Sequence, residues 1–174
     1  MCFIAINRYG YAMEFMDFGP YKGKVVDAET KEPIEEAVAM VYWNKRHFFA
    51  GSTVIDYQET LTDKNGDFSL PGIWVLNPWK RLTSDAILTI YKSGYHSIST
   101  GIWKDWDEFT PETDVDVLKL EDGKPVIILK KMTTEERKQS SISDPTRGDI
   151  PREKKKLLLQ EIDKDYGFKY PPGK

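Results

Sequence analysis

Residues 58–70 contain the pattern that most constrains what this chain can fold into. The turn Asp63-Lys64-Asn65-Gly66 separates two short segments, and its Asn-Gly pair supplies the positive-φ residues that a tight hairpin needs. After the turn, Phe68 and Leu70 alternate with polar residues, as they do in a strand that buries one face. The sequence therefore predicts antiparallel β-structure here.

The same signals recur through the central part of the chain. Alternating or short apolar runs, separated by turn residues, predict strands. These runs cover residues 21–27, 37–43, 58–62, 67–70, 86–91, 95–99 and 126–129. The set predicts an all-β fold, a seven-stranded antiparallel β-sandwich with long loops and a short helical C-terminal extension. The predicted loops at residues 44–57, 71–85 and 100–125 are where binding function is usually found.

Composition divides the chain into three parts: 1–19, 20–131 and 132–174. The first part is aromatic-rich and is either an apolar arm that packs on the domain or the remnant of a truncated signal peptide. The second is the sandwich. The third is a charged helical or flexible tail.

The tail carries two helix signals. Thr133 and Glu136 fit a capping box and predict a short helix to about residue 139. A second helix is predicted from near Pro151 to a C-cap at Gly167.

Three apolar residues four positions apart give the second predicted helix one apolar stripe: Leu158, Ile162 and Tyr166. A stripe of this kind needs a surface to cover it. The simplest interpretation is that it docks on the sandwich or on a second copy, which would make a homo-oligomer. A dedicated protein partner is the alternative, and in that case these three residues are the partner-binding set.

Charge and composition exclude several classes of function. The 25 basic and 28 acidic residues are mixed along the chain, whereas a nucleic-acid-binding protein would show a basic stripe. One cysteine and two histidines provide neither an intrachain disulfide nor a Cys/His zinc site. No apolar run reaches the ~18 residues of a membrane span.

The sequence offers no catalytic, metal or cofactor site. His47 and His96 lie at no spacing that would hold a metal or pair with a nucleophile. Asp63, Asn65 and Asp67 alternate as the ligands of a calcium loop do. A calcium loop has its glycine at the sixth position, whereas Gly66 is fourth, the position expected in a hairpin turn. We therefore expect a chain that is not an enzyme.

Three motifs in order resemble the carboxypeptidase regulatory-like domain family. The first comprises Gly23, Val25, Asp27, Thr30, Pro33, Ile34 and Ala37. The second comprises Thr62, Asp63, Gly66 and Phe68, and the third Lys92, Gly94 and Tyr95. The resemblance implies a transthyretin-like sandwich, similar also to prealbumin and starch-binding folds. It implies an accessory module of secreted or envelope-associated bacterial proteins, and hence a periplasmic or envelope location.

A hydrolase of 5-hydroxyisourate shares this type of sandwich and ends in Tyr-Arg-Gly-Ser. This chain ends in Pro171-Pro172-Gly173-Lys174 and lacks that motif.

Four tryptophans in the predicted loops are the candidate ligand-binding residues: Trp74, Trp79, Trp103 and Trp106. Exposed indoles stack on sugar rings, whereas buried ones would close the open ends of the sandwich. We expect a non-catalytic accessory, structural or protein-interaction module of the bacterial cell envelope with an unknown protein partner. The alternative is a carbohydrate-binding module that holds a polysaccharide on these tryptophans.

Overall fold

The alternating segments of the central region form strands in three sheets. The structure, a computed structural model, describes residues 4–6, 12–47, 51–78, 83–102, 118–121, 124–140, 144–146 and 150–169. The strands are β1 (Ile4–Ile6), β2 (Ala12–Phe18), β3 (Tyr21–Asp27), β4 (Val38–His47), β5 (Gly51–Leu61), β6 (Asp67–Leu70), β7 (Ile73–Pro78), β8 (Thr83–Tyr91), β9 (Ile98–Ile102), β10 (Leu118–Glu121) and β11 (Lys124–Leu129). The helices are α1 (Thr134–Gln139) and α2 (Lys156–Lys169), and a 3₁₀ turn (Arg152–Lys154) precedes α2.

Two four-stranded sheets make a sandwich. Sheet I has the order β10-β11-β3-β6, and sheet II has the order β5-β4-β8-β9. Their facing residues form one apolar core: Tyr21, Val25, Phe68, Leu70, Ile127 and Leu129 from sheet I, and Ala39, Val41, Trp43, Ala86, Leu88 and Ile90 from sheet II. Sheet III, with the order β1-β2-β7, adds Phe18 and Val75 to this core. The predicted all-β sandwich is confirmed.

The number of strands and one pairing differ from the prediction. The seven predicted strands correspond to β3, β4, β5, β6, β8, β9 and β11, and the structure adds β1, β2, β7 and β10. The expectation of a wholly antiparallel sandwich is wrong for β3 and β11, which run parallel with Val25 opposite Ile127. Parallel neighbours are joined by a long crossover, so local turn chemistry gives no sign of such a pair.

Two of the predicted long loops are strands. In place of a loop at 44–57, β4 continues to His47 and pairs with β5 from Gly51. The register shifts between Trp43 and Asn44, and a bulge of this kind breaks the alternation that would have revealed the extension. In place of a loop at 71–85, β7 pairs with β2 and β8 begins at Thr83.

The hairpin turn at residues 63–66 is confirmed. The Asp63 carboxylate accepts the amide hydrogens of Asn65 at 2.8 Å and Asp67 at 2.9 Å. Gly66 has φ +76°, and an added Cβ would lie 2.4 Å from the Val25 carbonyl oxygen, so only glycine fits. The Asp63 Oδ1 atom thus serves the turn.

The tail packs on the sandwich. The Thr133–Glu136 capping box at α1 is confirmed. The predicted C-cap at Gly167 is wrong, because α2 continues to Lys169. Two contacts to the α1 region hold that last turn: the Arg137 guanidinium lies 3.9 Å from the Phe168 ring centroid, and Lys169 Nζ donates to the Ser140 carbonyl at 2.8 Å. No described helix is long and apolar enough to cross a membrane.

Candidate functional site

Of the four candidate tryptophans, only Trp74 lies among the described residues. Trp74 lies on β7, at the edge of sheet III opposite Asp17, and 66% of it is exposed. Trp43 is fully buried in the sandwich core, with its ring centroid 6.2 Å from that of Tyr21. Trp79, Trp103 and Trp106 lie outside the described residues. Among the described tryptophans, only Trp74 presents surface to a ligand.

The predicted stripe of α2 is divided by the docking of the helix. Leu158 and Ile162 are buried against the outer face of sheet II, together with Val38, Met40, Tyr42, Tyr57, Tyr91 and Ile150. Tyr166 remains 46% exposed. Four residues turn a helix by about 400°, so Tyr166 lies about 80° around the axis from Leu158 and leaves the sheet. The simpler prediction, docking on the sandwich, is what the structure shows. Leu158 and Ile162 have no surface left for another chain in this arrangement.

The docked face of α2 includes two acidic residues that sequence reasoning missed. Glu161 and Asp165 are 3% and 5% exposed, and each follows one of the buried aliphatic residues by three positions. Charged residues on a helix are usually assigned to its solvent side. The signal that could have found them is this repeated spacing, since positions three and four apart share a helix face.

Asp165 is the centre of a hydrogen-bonded cluster that joins α2 to α1 and to the turn after β8. Its Oδ2 accepts the Tyr91 hydroxyl at 2.7 Å. Its Oδ1 accepts Ser93 Oγ at 2.8 Å, the Gly94 amide at 3.2 Å and Arg137 Nε at 2.8 Å. Burial, followed by the hydrogen bond to Asp165, raises the pKa of Tyr91 above its usual range. The cluster thus holds a buried carboxylate by several donors at once.

Glu161 lies one helical turn before Asp165 and meets the same turn. Its Oε1 accepts the Ser93 amide at 3.1 Å and lies 3.7 Å from Lys92 Nζ. Its other oxygen accepts Lys164 Nζ, and this hydrogen bond is the main cause that raises the pKa of Lys164. Both acidic residues of the docked face therefore have cationic and amide partners.

The N-terminus of α2 is capped by a residue distant in sequence. Glu59 on β5 accepts the amides of Leu157 at 2.8 Å and Leu158 at 3.2 Å, and the Tyr57 hydroxyl at 3.0 Å. The first amides of a helix lack partners within it, and a carboxylate there also opposes the positive end of the helix dipole. Burial, and then the charge of Glu59, raises the pKa of Tyr57.

A third contact holds the segment before α2. Lys155 is 3% exposed, and its Nζ donates to Asp144 and, at 3.1 Å, to Thr146 Oγ1. Partial burial acts to raise the pKa of Asp144, but the hydrogen bonds from Lys155 and Thr146 outweigh it and the pKa falls below its ordinary value. The buried ammonium is thus paired with a carboxylate.

Motif residues at 23–37, 62–68 and 92–95 hold turns and strand ends. Asp27 Oδ1 accepts the amides of Glu29 at 2.8 Å and Thr30 at 3.0 Å, and Oδ2 accepts the Tyr95 hydroxyl at 3.0 Å. The bond from the Thr30 amide is the largest cause that lowers the pKa of Asp27. Thr62 Oγ1 accepts the Ala37 amide and donates to the Ile34 carbonyl. These contacts join the three motifs to one another.

The described residues hold no group of three His, Cys, Asp or Glu side chains that could bind a metal ion. His96 Nε2 lies 3.9 Å from Glu136 Oε1, and the two side chains are 47% and 42% exposed. The side chain of His47 is outside the described set. The buried carboxylates of Glu161 and Asp165 attach α2 to the sandwich, and that of Asp27 holds a turn.

Comparison with known proteins adds little. No family model and no curated protein matches the chain. A pilus adhesin (RrgA) from Streptococcus pneumoniae is similar over 67% of this chain and 15% of its own, at 18% identity and a TM-score of 0.41. A 3-chlorocatechol 1,2-dioxygenase from Rhodococcus opacus 1CP is similar over 68% of this chain and 60% of its own, at 18% identity and a TM-score of 0.38. At these scores neither similarity bears on function.

Proposed function

We propose that this protein is a non-catalytic accessory module of the bacterial cell envelope that acts through protein contacts, built on a transthyretin-like sandwich of the carboxypeptidase regulatory-like kind. The observation that carries the proposal is Trp74, a large aromatic side chain that stands 66% exposed on the edge strand of sheet III. Tryptophan is enriched at the energetic centres of protein interfaces, so an exposed indole on an edge strand favours a protein contact.

Two further features support this proposal. The half-buried Glu59 and the buried Glu161 and Asp165 each accept hydrogen bonds that fasten α2, which favours a role in attachment. The three motifs of the resemblance, whose residues form turns and core contacts, favour an accessory module attached to envelope proteins.

The test is site-specific photo-crosslinking in the native host. A photoreactive amino acid replaces Trp74 in one variant and the exposed hairpin residue Lys64 in the control. We expect a discrete crosslinked protein, recovered in the envelope fraction, from the Trp74 position alone. Equal labelling at both positions, or recovery of the protein away from the envelope, would contradict the proposal.

Carbohydrate binding is the second candidate, and the exposed indole of Trp74 favours it, since such a ring stacks on sugar faces. Titration with soluble polysaccharides, read by tryptophan fluorescence, separates the two. A saturable change that disappears in Trp74→Ala would support sugar binding. A flat response across polysaccharide classes would end it.

A further inference from the structure

We propose that the outer face of sheet II is a recognition groove for an amphipathic, acidic helix of a partner protein, and that α2 occupies this groove from within the chain until the partner displaces it. The inference rests on the proposed function as a protein-interaction module, but it concerns a different surface from Trp74. We call Val38, Met40, Tyr42, Tyr57 and Tyr91 the groove.

The groove is apolar and lies on the face of sheet II opposite the sandwich core. Along β4, Ala39, Val41 and Trp43 point into the core, and Val38, Met40 and Tyr42 point to α2. All five groove residues are at most 7% exposed, and the aliphatic side chains that cover them include Leu158 and Ile162. A strand that is apolar on both faces must be covered on both, so this face requires an occupant.

Donors at one end of the groove select an acidic helix. The Tyr91 hydroxyl, the amides of Ser93 and Gly94 and the Arg137 guanidinium all point at carboxylates of the occupant. A buried donor without an acceptor is costly. A wholly apolar helix would therefore pack on the groove residues but leave these donors without acceptors. The helix that fits carries two aliphatic residues four positions apart, each followed three positions later by an acidic residue. In α2 these pairs are Leu158–Glu161 and Ile162–Asp165.

The other end of the groove sets the direction of the helix. Glu59 accepts the amides of Leu157 and Leu158 in the first turn of α2, and only an N-terminus presents free amides. A partner helix must therefore enter with its N-terminus at β5 and its acidic second half at the turn after β8.

The core between sheets I and II contains no residue of α2, so release of α2 would leave that core closed. Local opening of one element while the rest of the fold stands is a general property of folded proteins, and the proposal assigns it to α2. A tethered occupant has an effective concentration in the millimolar range, and a competitor's apparent affinity falls in proportion to the fraction of open molecules. Weakening α2 must therefore strengthen binding in trans.

The test uses the full chain and a fluorescently labelled synthetic peptide of residues 150–169 as the probe, followed by anisotropy. Asp165→Asn and Leu158→Ala weaken α2 from the helix side and leave the groove intact. Asp163→Asn makes the same chemical change as Asp165→Asn on an exposed position of α2 and is the matched control. We expect each weakened variant to bind the probe at least about tenfold more tightly than the wild-type chain and the control. Adding Arg137→Ala to either weakened variant should remove its gain in affinity for the probe.

Hydrogen exchange of the α2 amides and far-ultraviolet circular dichroism accompany each measurement. If α2 opens, the β signal persists and the probe still does not bind, the groove does not recognise a helix and the inference is overturned. If both variants leave α2 protected and the probe unbound at millimolar concentration, α2 is not displaceable and the inference is overturned as well.

A second copy is the competing occupant. Dimerisation of Asp165→Asn in the absence of the probe, if Arg137→Ala abolishes it, would assign the groove to self-association. It would overturn the proposal that a partner protein occupies the groove. None of these outcomes alters crosslinking at Trp74, so failure of this inference is distinguishable from failure of the proposed function.

Discussion

The guanidinium of Arg137 on α1 lies 2.7 Å from the carboxylate of Asp165 on α2, with their side chains 23% and 6% exposed. Arg137 also donates to Ser93 Oγ at 2.7 Å, so one cation joins α1, α2 and the turn after β8. This cluster attaches the tail to the sandwich.

We expect Asp165→Ala to lower the free energy of unfolding by about 3 kcal/mol, because it leaves a largely buried guanidinium, the Tyr91 hydroxyl and a backbone amide without their acceptor. Urea denaturation followed by circular dichroism measures the change. Asp163→Ala, on the exposed side of the same helix, should stay within about 0.5 kcal/mol of the wild type. Similar losses in both variants would show that the cluster adds no stability.

Gly167→Ala should stabilise α2. Gly167 lies inside the helix, and an added Cβ would meet no atom within 4 Å. Alanine exceeds glycine in helix propensity by about 0.5–1 kcal/mol, and the position, close to the helix end, should yield the lower value. Thermal unfolding monitors the gain. A loss of stability would indicate that Gly167 is the left-handed cap which the sequence predicts.

Alkaline pH should destabilise the fold through two buried tyrosines. Burial raises the pKa of Tyr91 and of Tyr57 in the folded protein. A pKa above its unfolded value of about 10 means that the contribution to stability is complete below pH 10 and declines as the pH rises beyond it. Unfolding free energies between pH 8 and 12 check this. Tyr57→Phe should flatten the decline, and an unchanged slope would exclude Tyr57 as a cause.

Acid should remove stability through Asp27. The Thr30 amide and further donors lower its pKa in the folded state. A depressed pKa contributes stability above the unfolded value of about 4, and this contribution is lost as the pH falls through the folded value. Asp27→Asn should be less stable at pH 7 and less sensitive to acid, as measured by urea unfolding from pH 7 to 2. The exposed Glu29→Gln serves as the control.

Trp43 and Trp74 should differ widely in the loss of stability that follows substitution by alanine. Trp43 is fully buried between the sheets, so Trp43→Ala leaves a cavity and should cost about 3–5 kcal/mol. Trp74→Ala should change stability by less than about 0.5 kcal/mol, since that side chain is 66% exposed. Chemical denaturation of both variants tests the pair. A large loss at Trp74 would mean that this indole serves the fold and not a ligand.

Local chemistry predicted the parts of this fold that depend on neighbours in sequence. Strands β3 and β6 and helix α1 have the predicted bounds, because alternation, the Asn65-Gly66 turn and the Thr133–Glu136 capping box are short-range signals. Strand β7 was missed, because it is recognisable as a strand only through its pairing with β2. The extension of β4 past Trp43 was hidden by the bulge.

The sequence by itself determined that the central region is a β-sandwich with a hairpin at residues 63–66, and that α2 carries an aliphatic pair in need of cover. Only the tertiary structure decided what covers it and which polar residues take part. The half-buried Glu59 and the buried Glu161 and Asp165 have no local signal of these positions, because a carboxylate is stable away from water only when distant donors converge on it. Those donors come from β5, the turn after β8 and α1, and folding alone brings them together.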